Sequence, residues 1–320
     1  MLYIKNLLKM KNYTNLNDIP NLSETIKEAI LLKMNPFEYS KLGQHKTLVM
    51  LFFNSSLRTR LSTEKAAKNL GMDVTILNVN DAWHLEFEDG TTMNMDASEH
   101  VKEAAQVISQ YADVIAVRAF PTLINKVQDE SELILNSFKK YATVPIVNME
   151  SATAHPLQAL ADAITISELT EKKKPKVVLS WAPHPKALPQ AVANSFVEMM
   201  QHLAVDFTIT HPEGYELNTE ITKNTRINHN QEDALKDVDF VYAKNWSSYN
   251  DYGQILNQDK NWMITKAKLG DAKFMHCLPV RRNIVVDDAV LDSDQSIVIQ
   301  QANNRTYAAQ IVLKQLLEQL

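Results

Sequence analysis

Between Ser56 and Arg60 the chain carries two hydroxyls, Ser56 and Thr59, and two guanidinium groups, Arg58 and Arg60. They follow an apolar run, Leu48–Phe53, and open a helix-period stretch, Thr59–Leu70. Ser55 or Ser56 suits the N-cap of that helix. A helix N-terminus offers unpaired N–H groups and the positive end of a dipole, which favour an anion. Arginine adds a planar fork that matches phosphate. The alternative is a capped helix whose arginines face water; the position after a buried strand favours the anion site. Four further groups could join this chemistry: Arg118 after the third expected strand, His155-Pro156-Leu157-Gln158 at a helix start, His276-Cys277-Leu278-Pro279 after a short strand, and Arg305 in the C-terminal helix. A lone histidine before a proline is also an ordinary helix-start residue. Cys277, the single cysteine, suits a buried structural thiol as well as an active one.

The elements that must hold these residues alternate. Strands are expected at Leu48–Phe53, Val74–Val79, Asp113–Val117, Pro145–Asn148, Lys176–Trp181, Asp206–Thr210, Asp239–Tyr242, Lys273–Met275 and Ser296–Ile299. Most lack polar alternation, as strands buried on both faces do. Helices are expected at Thr59–Leu70, Glu99–Tyr111, Pro156–Leu169, Pro189–Leu203 and Asn303–Leu320. This alternation implies an α/β architecture with parallel sheets, whose ligands bind beyond the carboxyl ends of strands.

A length of 320 residues suits two domains. The lysine-rich Glu171–Pro175 reads as a boundary or as a solvated loop. Six glycines stand where average usage gives about 22. The nearest pair, Gly253 and Gly270, is too widely spaced for GxGxxG or GxxxxGK[ST]. One cysteine excludes a disulfide framework and a cysteine-based zinc site. The net charge of −5 argues against non-specific nucleic-acid binding. The first residues, MLYIKNLLKMKNY, break their apolar character with lysines, unlike a signal peptide, and the longest apolar run is too short to span a bilayer. The expectation is a cytoplasmic protein with no membrane and no nucleic-acid partner.

Ser56-Leu57-Arg58-Thr59-Arg60 resembles the S-x-R-T-R segment of the aspartate/ornithine carbamoyltransferase family, and His155–Gln158 resembles its H-P-x-Q. His276–Pro279 matches the H-C-L-P of ornithine-type members, and Arg118 and Arg305 fall in family order. The resemblance runs from about Leu48 to the C-terminus. It implies two domains, each with a central parallel sheet flanked by helices. Residues 1–150 would bind carbamoyl phosphate, with helix 303–320 packing back on them. Residues 151–302 would bind the acceptor in a knotted domain. It implies phosphate binding by Ser56, Leu57, Arg58 and Thr59, and carbonyl contacts from Arg118, His155 and Thr59. Gln158 would lie near the carbamoyl amide. Trp83, Cys277, Leu278 (through its carbonyl) and Arg305 would complete the set. No metal or organic cofactor is implied. A homotrimer with active sites shared between subunits is.

The acceptor side departs from ordinary ornithine enzymes. Lys244-Asn245-Trp246-Ser247 stands where they carry D-x-W-x-S, whose aspartate pairs with a free α-ammonium. A lysine would repel that group and pair with a carboxylate, although a lone lysine is otherwise a solvated one. The same departure marks the N-acylornithine branch. Asp81-Ala82-Trp83, Asn148-Met149-Glu150 and the loop Trp181–Pro189 with His184 resemble that branch too. The resemblance implies that Glu150, His184, Lys244, Ser98 and Arg281 bind the acylornithine, and that Trp83 reaches a neighbouring subunit's site. Core packing by Trp83 is the structural alternative. Ser98 stands where acetyl-specific members carry a glutamate, which points to N-succinyl-L-ornithine with N-acetylornithine as the competitor. Serine could equally cap the next helix. Ile284 and Val285 follow Asn283, so no lysine is available for carboxylation there.

Overall fold

The computed structural model describes residues 10–79 and 83–320. Asp81 and Ala82, and the first nine residues of the lysine-interrupted N-terminus, lie outside them. The chain divides into two compact units. The first comprises Met1–Ala119, Glu132–Ser151 and Thr306–Leu320, and the second Phe120–Ser131 and Ala152–Arg305. The segment Phe120–Ser131 thus belongs with the second unit although it lies within residues 1–150.

In the first unit β1 (Thr47–Phe52), β2 (Asp73–Asn78), β5 (Val114–Arg118) and β6 (Ile146–Glu150) form a parallel sheet in the order β2-β1-β5-β6. The inner strands β1 and β5 are buried almost throughout, which explains their unbroken apolar runs. β2 lies at the edge and alternates exposed with half-buried positions. At the other end Tyr13 pairs with Val147, so the edge of β6 is covered by the chain itself. Two short strands, β3 (Leu85–Glu86) and β4 (Glu99–His100), pair in parallel ahead of helix Val101–Tyr111. The expected helix start at Glu99 is therefore two residues early.

In the second unit β7 (Lys176–Trp181), β8 (Asp206–Thr210), β9 (Arg226–Asn228), β10 (Phe240–Lys244) and β11 (Lys273–Met275) form a parallel sheet ordered β11-β10-β7-β8-β9. Trp181, Trp246, Tyr215 and Tyr242 are among its largest fully buried side chains. Burial of aromatics of this size dominates core energetics. Helices Pro156–Leu169 and Ala191–Gln201 are buried over most of their length, so neither shows a broad polar face.

The run Ser296–Ile299 is not a strand. Ser296 makes a single bridge to Phe274, and from Val298 the chain enters a helix that ends at Leu317. A short β-branched run cannot be told from a buried helix turn by periodicity alone. The helix belongs to the second unit up to Arg305 and to the first from Thr306. Within the first unit Asn69 Nδ2 donates to Gln310 Oε1 at 2.9 Å, and Gln310 Nε2 donates to the Pro36 carbonyl at 2.7 Å.

Candidate active site

In the first unit β1 ends at Phe52, and the chain turns through Asn54–Leu57 into helix Arg58–Asn69. Leu57 has helical φ and ψ, and the Thr59 N–H donates to Ser56 Oγ at 3.3 Å. Ser56 is therefore the residue that caps the helix, rather than Ser55. The helix thus begins at the sheet's carboxyl end, where an anion is favoured. Thr59 is buried, whereas the Leu57 side chain is exposed, so Leu57 offers only its backbone. Arg58 is half-buried. Arg60 does not add a donor to the helix start. Its Nη2 donates to Asn78 Oδ1 at 2.5 Å, and its guanidinium lies 4.8 Å from the Phe52 ring centroid, so it ties the helix to β1 and β2.

Arg118 closes β5. The register between β5 and β6 shifts after Val117, and the shift sets Arg118 opposite Glu150. Arg118 Nη1 donates to the carbonyls of Asn54 at 3.0 Å and Ser55 at 2.7 Å, and Nη2 donates to Glu150 Oε2 at 3.1 Å. Both side chains are about nine-tenths buried. Glu150, expected against the acceptor, is thus engaged by Arg118. Asn148 of the same strand donates to the Thr14 carbonyl and to Ser151 Oγ.

Trp83 packs against the core of its own unit and donates Nε1–H to Glu99 Oε2 at 2.9 Å. Ser98 is exposed, and its hydroxyl makes no hydrogen bond among the described residues. It does not cap the next helix. That position belongs to His100, whose Nδ1 accepts from the Lys102 N–H at 3.2 Å. The strand pairing of Glu99 and His100 with β3 delays the helix and moves its cap past Ser98.

In the second unit His155 is the N-cap residue of helix Pro156–Leu169, with Pro156 at its first position, as the fixed φ of proline favours. The imidazole makes no capping bond; the backbone N–H donates to Ser195 Oγ at 2.9 Å. One turn on, Gln158 Nε2 donates to Asp162 Oδ1 at 2.7 Å, and Arg305 Nη1 donates to Gln158 Oε1. Gln301 Nε2 donates to the same Asp162 oxygen at 2.7 Å. Gln301 Oε1 accepts the His276 N–H at 2.9 Å, and His276 Nδ1 accepts the Leu278 N–H at 2.9 Å. One buried chain of amides thus links Gln158, Arg305 and the His276–Pro279 turn. Burial raises the Asp162 carboxyl to about 7 against the opposing effects of Gln301, Gln158 and Arg305. Leu278 has φ +56, a left-handed conformation that costs a leucine and fixes where its carbonyl points. Cys277 is a buried thiol, in no disulfide, beside Tyr242, whose hydroxyl is held well above its ordinary pKa by burial first and then by Asp162 and Cys277.

Asp162 and Gln301 were not anticipated from sequence. Asp162 stands four residues after Gln158, a spacing that places both on one face of a helix. That signal was available. Gln301 carries none beyond its position one turn before Arg305.

Lys244 ends β10 and is buried to 8 % exposure, yet its ammonium makes no ion pair among the described residues. The loop Trp181–Pro189 is stitched to the stretch that follows it. Asn245 Nδ2 donates to the Ala182 carbonyl at 2.7 Å, Trp181 Nε1 to the Trp246 carbonyl at 3.0 Å, and the Ser247 N–H to the Leu188 carbonyl at 3.0 Å. Arg281 Nε donates to His184 Nε2 at 3.0 Å. Burial, helped by Arg281 and Lys244, lowers the His184 pKa. That is the state in which Nε2 can accept. Lys244 and Arg281 thus supply positive charge around a neutral His184, a setting that suits a carboxylate.

Residues 5–168 match the family described as aspartate/ornithine carbamoyltransferase, carbamoyl-P binding domain, and residues 189–316 match its Asp/Orn binding domain. The chain is 50% identical to the N-succinylornithine carbamoyltransferase of Bacteroides fragilis, over 97% of this chain and 100% of that one. It is 36% identical to the N-acetylornithine carbamoyltransferase of Xylella fastidiosa, over 91% of this chain and 95% of that one. A solved N-acetyl-L-ornithine transcarbamylase, with one glutamate replaced by serine, in complex with carbamyl phosphate and N-succinyl-L-norvaline, superposes with a TM-score of 0.88. It shares 34% identity, over 95% of this chain and 99% of that one. Among the described residues no helix is long and apolar enough to cross a membrane. The ordered motifs, the two parallel sheets and these matches agree: the chain belongs to the aspartate/ornithine carbamoyltransferase family.

Proposed function

We propose that the protein transfers the carbamoyl group of carbamoyl phosphate to the δ-amine of N-succinyl-L-ornithine, giving N-succinylcitrulline and phosphate, as a step in arginine biosynthesis. The neutral amine attacks the carbonyl carbon, a tetrahedral oxyanion forms, and the C–O bond to phosphate breaks. The proton lost by the amine leaves with phosphate or water. Ser56, Thr59, Arg58 and the helix N–H groups hold the phosphate, with Arg305 completing the anion's partners. Arg118, His155 and Thr59 polarise the carbonyl and stabilise the oxyanion, usually the largest catalytic contribution. Gln158 holds the carbamoyl amide, and the Leu278 carbonyl accepts from it. Cys277 lines the site without forming a covalent bond. Lys244, with His184 and Arg281, binds the acceptor's α-carboxylate. Glu150 acts by fixing Arg118.

The observation that carries the succinyl reading is Ser98: an exposed serine, free of capping duty, at the position where the acetyl branch has a glutamate. A glutamate there would face the distal succinyl carboxylate, and like charges in a closed site cost several kcal/mol. The serine-substituted acetylornithine enzyme in complex with N-succinyl-L-norvaline supports the same reasoning. The test is turnover with each acceptor. The wild-type protein should carbamoylate N-succinylornithine, and Ser98→Glu should lower that kcat/KM by at least about 100-fold. Turnover of N-acetylornithine alone would overturn the assignment.

The protein works in the cytoplasm as a homotrimer in which Trp83 of one subunit completes a neighbour's site. Separately inactive Trp83→Ala and Arg58→Ala chains, refolded together, should regain part of the activity. No recovery in verified mixed trimers would remove the shared site.

A further inference from the structure

At the edge of the second unit's sheet, β8 and β9 pair in parallel, with Thr210 opposite Asn228. The next residue on each strand is a histidine. His211 and His229 therefore meet at the carboxyl ends of adjacent strands, with ring centroids 4.9 Å apart. The loop after His211 turns at Gly214, whose φ of +86 is open to glycine, and returns Glu216 to the pair. One ligating atom from each of His211, Glu216 and His229 lies within 4.8 Å of the others.

The hydrogen bonds prepare both imidazoles in one way. His211 Nδ1 lies 2.8 Å from the Pro212 carbonyl, and His229 Nδ1 lies 3.0 Å from the His211 carbonyl. A carbonyl oxygen only accepts, so each Nδ1 carries the proton and each Nε2 presents a lone pair. His211 is 1 % exposed, and among the described residues its buried Nε2 has no hydrogen-bond partner. A buried polar atom in that state needs a reason.

We propose that His211, His229 and Glu216 form a site for a divalent transition metal of the zinc class, with a fourth position open to water. Two imidazoles and one carboxylate are a known zinc ligand set. The carbonyl on each Nδ1 is the outer contact that orients such ligands. The metal would act as a brace. It would pin the ends of β8 and β9 to the loop that carries Tyr215, whose carbonyl accepts from Trp246 Nε1 at 2.8 Å. Trp246 in turn belongs to the stretch that begins at Lys244. The inference stands independently of the acceptor assigned above.

The experiment titrates full-length, chelator-stripped protein with Zn²⁺ and with Co²⁺. We expect one equivalent per chain, a visible Co²⁺ band of tetrahedral type, and a Tm raised by roughly 5 °C in a hundredfold excess over Kd. His229→Gln changes an exposed residue and should leave folding and carbamoyl transfer intact. It should weaken Zn²⁺ binding by more than the roughly 10–100-fold that loss of an outer-shell contact costs. Glu216→Gln should also weaken binding. Absence of saturable binding, or binding unchanged in both variants, would overturn the proposal.

Discussion

Two arginines of this chain are buried to nearly the same degree and held in different ways. Arg118, in the first unit, is fixed by the carbonyls of Asn54 and Ser55 and by the carboxylate of Glu150. Arg305, in the second, donates to Gln158, which in turn donates to the Asp162 carboxyl. The first arrangement compensates a buried charge with an opposite charge. The second joins its arginine to a chain of amides that also holds His276 and Leu278 in place. Removing one member of a buried ion pair leaves the other uncompensated. An amide chain needs only that each acceptor remain an acceptor. The first unit should therefore be sensitive to charge, and the second to hydrogen-bond geometry.

The largest effect should come from Arg118→Met. It removes a counter-charge of a carboxylate that is about nine-tenths buried. The expected cost is about 3–5 kcal/mol of stability, read as a lower denaturation midpoint. If Arg118 is the oxyanion donor proposed above, kcat/KM should fall by at least about 100-fold. Arg118→Met combined with Glu150→Gln should recover most of the stability and none of the activity. Recovery of activity would show that Arg118 acts only through the pair, and the contrast with Arg305 would collapse.

Much of this contrast was legible beforehand, but unevenly. The runs at Lys176–Trp181, Asp206–Thr210 and Lys273–Met275 become strands with those bounds because continuous β-branched and apolar residues suit burial on both faces. β9 was missed because Arg226–Asn228 is short, largely polar and at the sheet's edge. Ser296–Ile299 misled because the β-branched run Ile297–Ile299 leads into a helix that begins at Val298. Arg118 was found by motif order, yet its two carbonyl partners have no signature in side-chain chemistry. The register shift that sets it opposite Glu150 has none either. Ser98 could be placed, but not relieved of capping duty, since that depends on β3 pairing with Glu99 and His100. Asp162 was readable from its spacing to Gln158, and was passed over because an acid within a buried helix has no obvious partner in sequence.

Asp162→Asn tests the other half of the comparison and should have the smaller effect on turnover. Both amide donors converge on Oδ1, and neither bonds the buried Oδ2. An asparagine oxygen can accept both, so the network should survive, and kcat/KM at pH 8 should change by less than about 10-fold. Stability should reveal the charge. Asp162 titrates at about 7 when folded, against an ordinary value of 3.8. Between those values the folded chain holds a proton that the unfolded chain has released. Wild-type stability therefore falls as pH rises through that window and levels off above it. The asparagine variant lacks this contribution, so its stability should gain on wild type from about pH 4 to about pH 7 and stay ahead beyond. Urea midpoints across that range measure the difference. A variant that loses ground as pH rises would mean that the folded site prefers the carboxylate. The second unit would then depend on charge compensation as the first does.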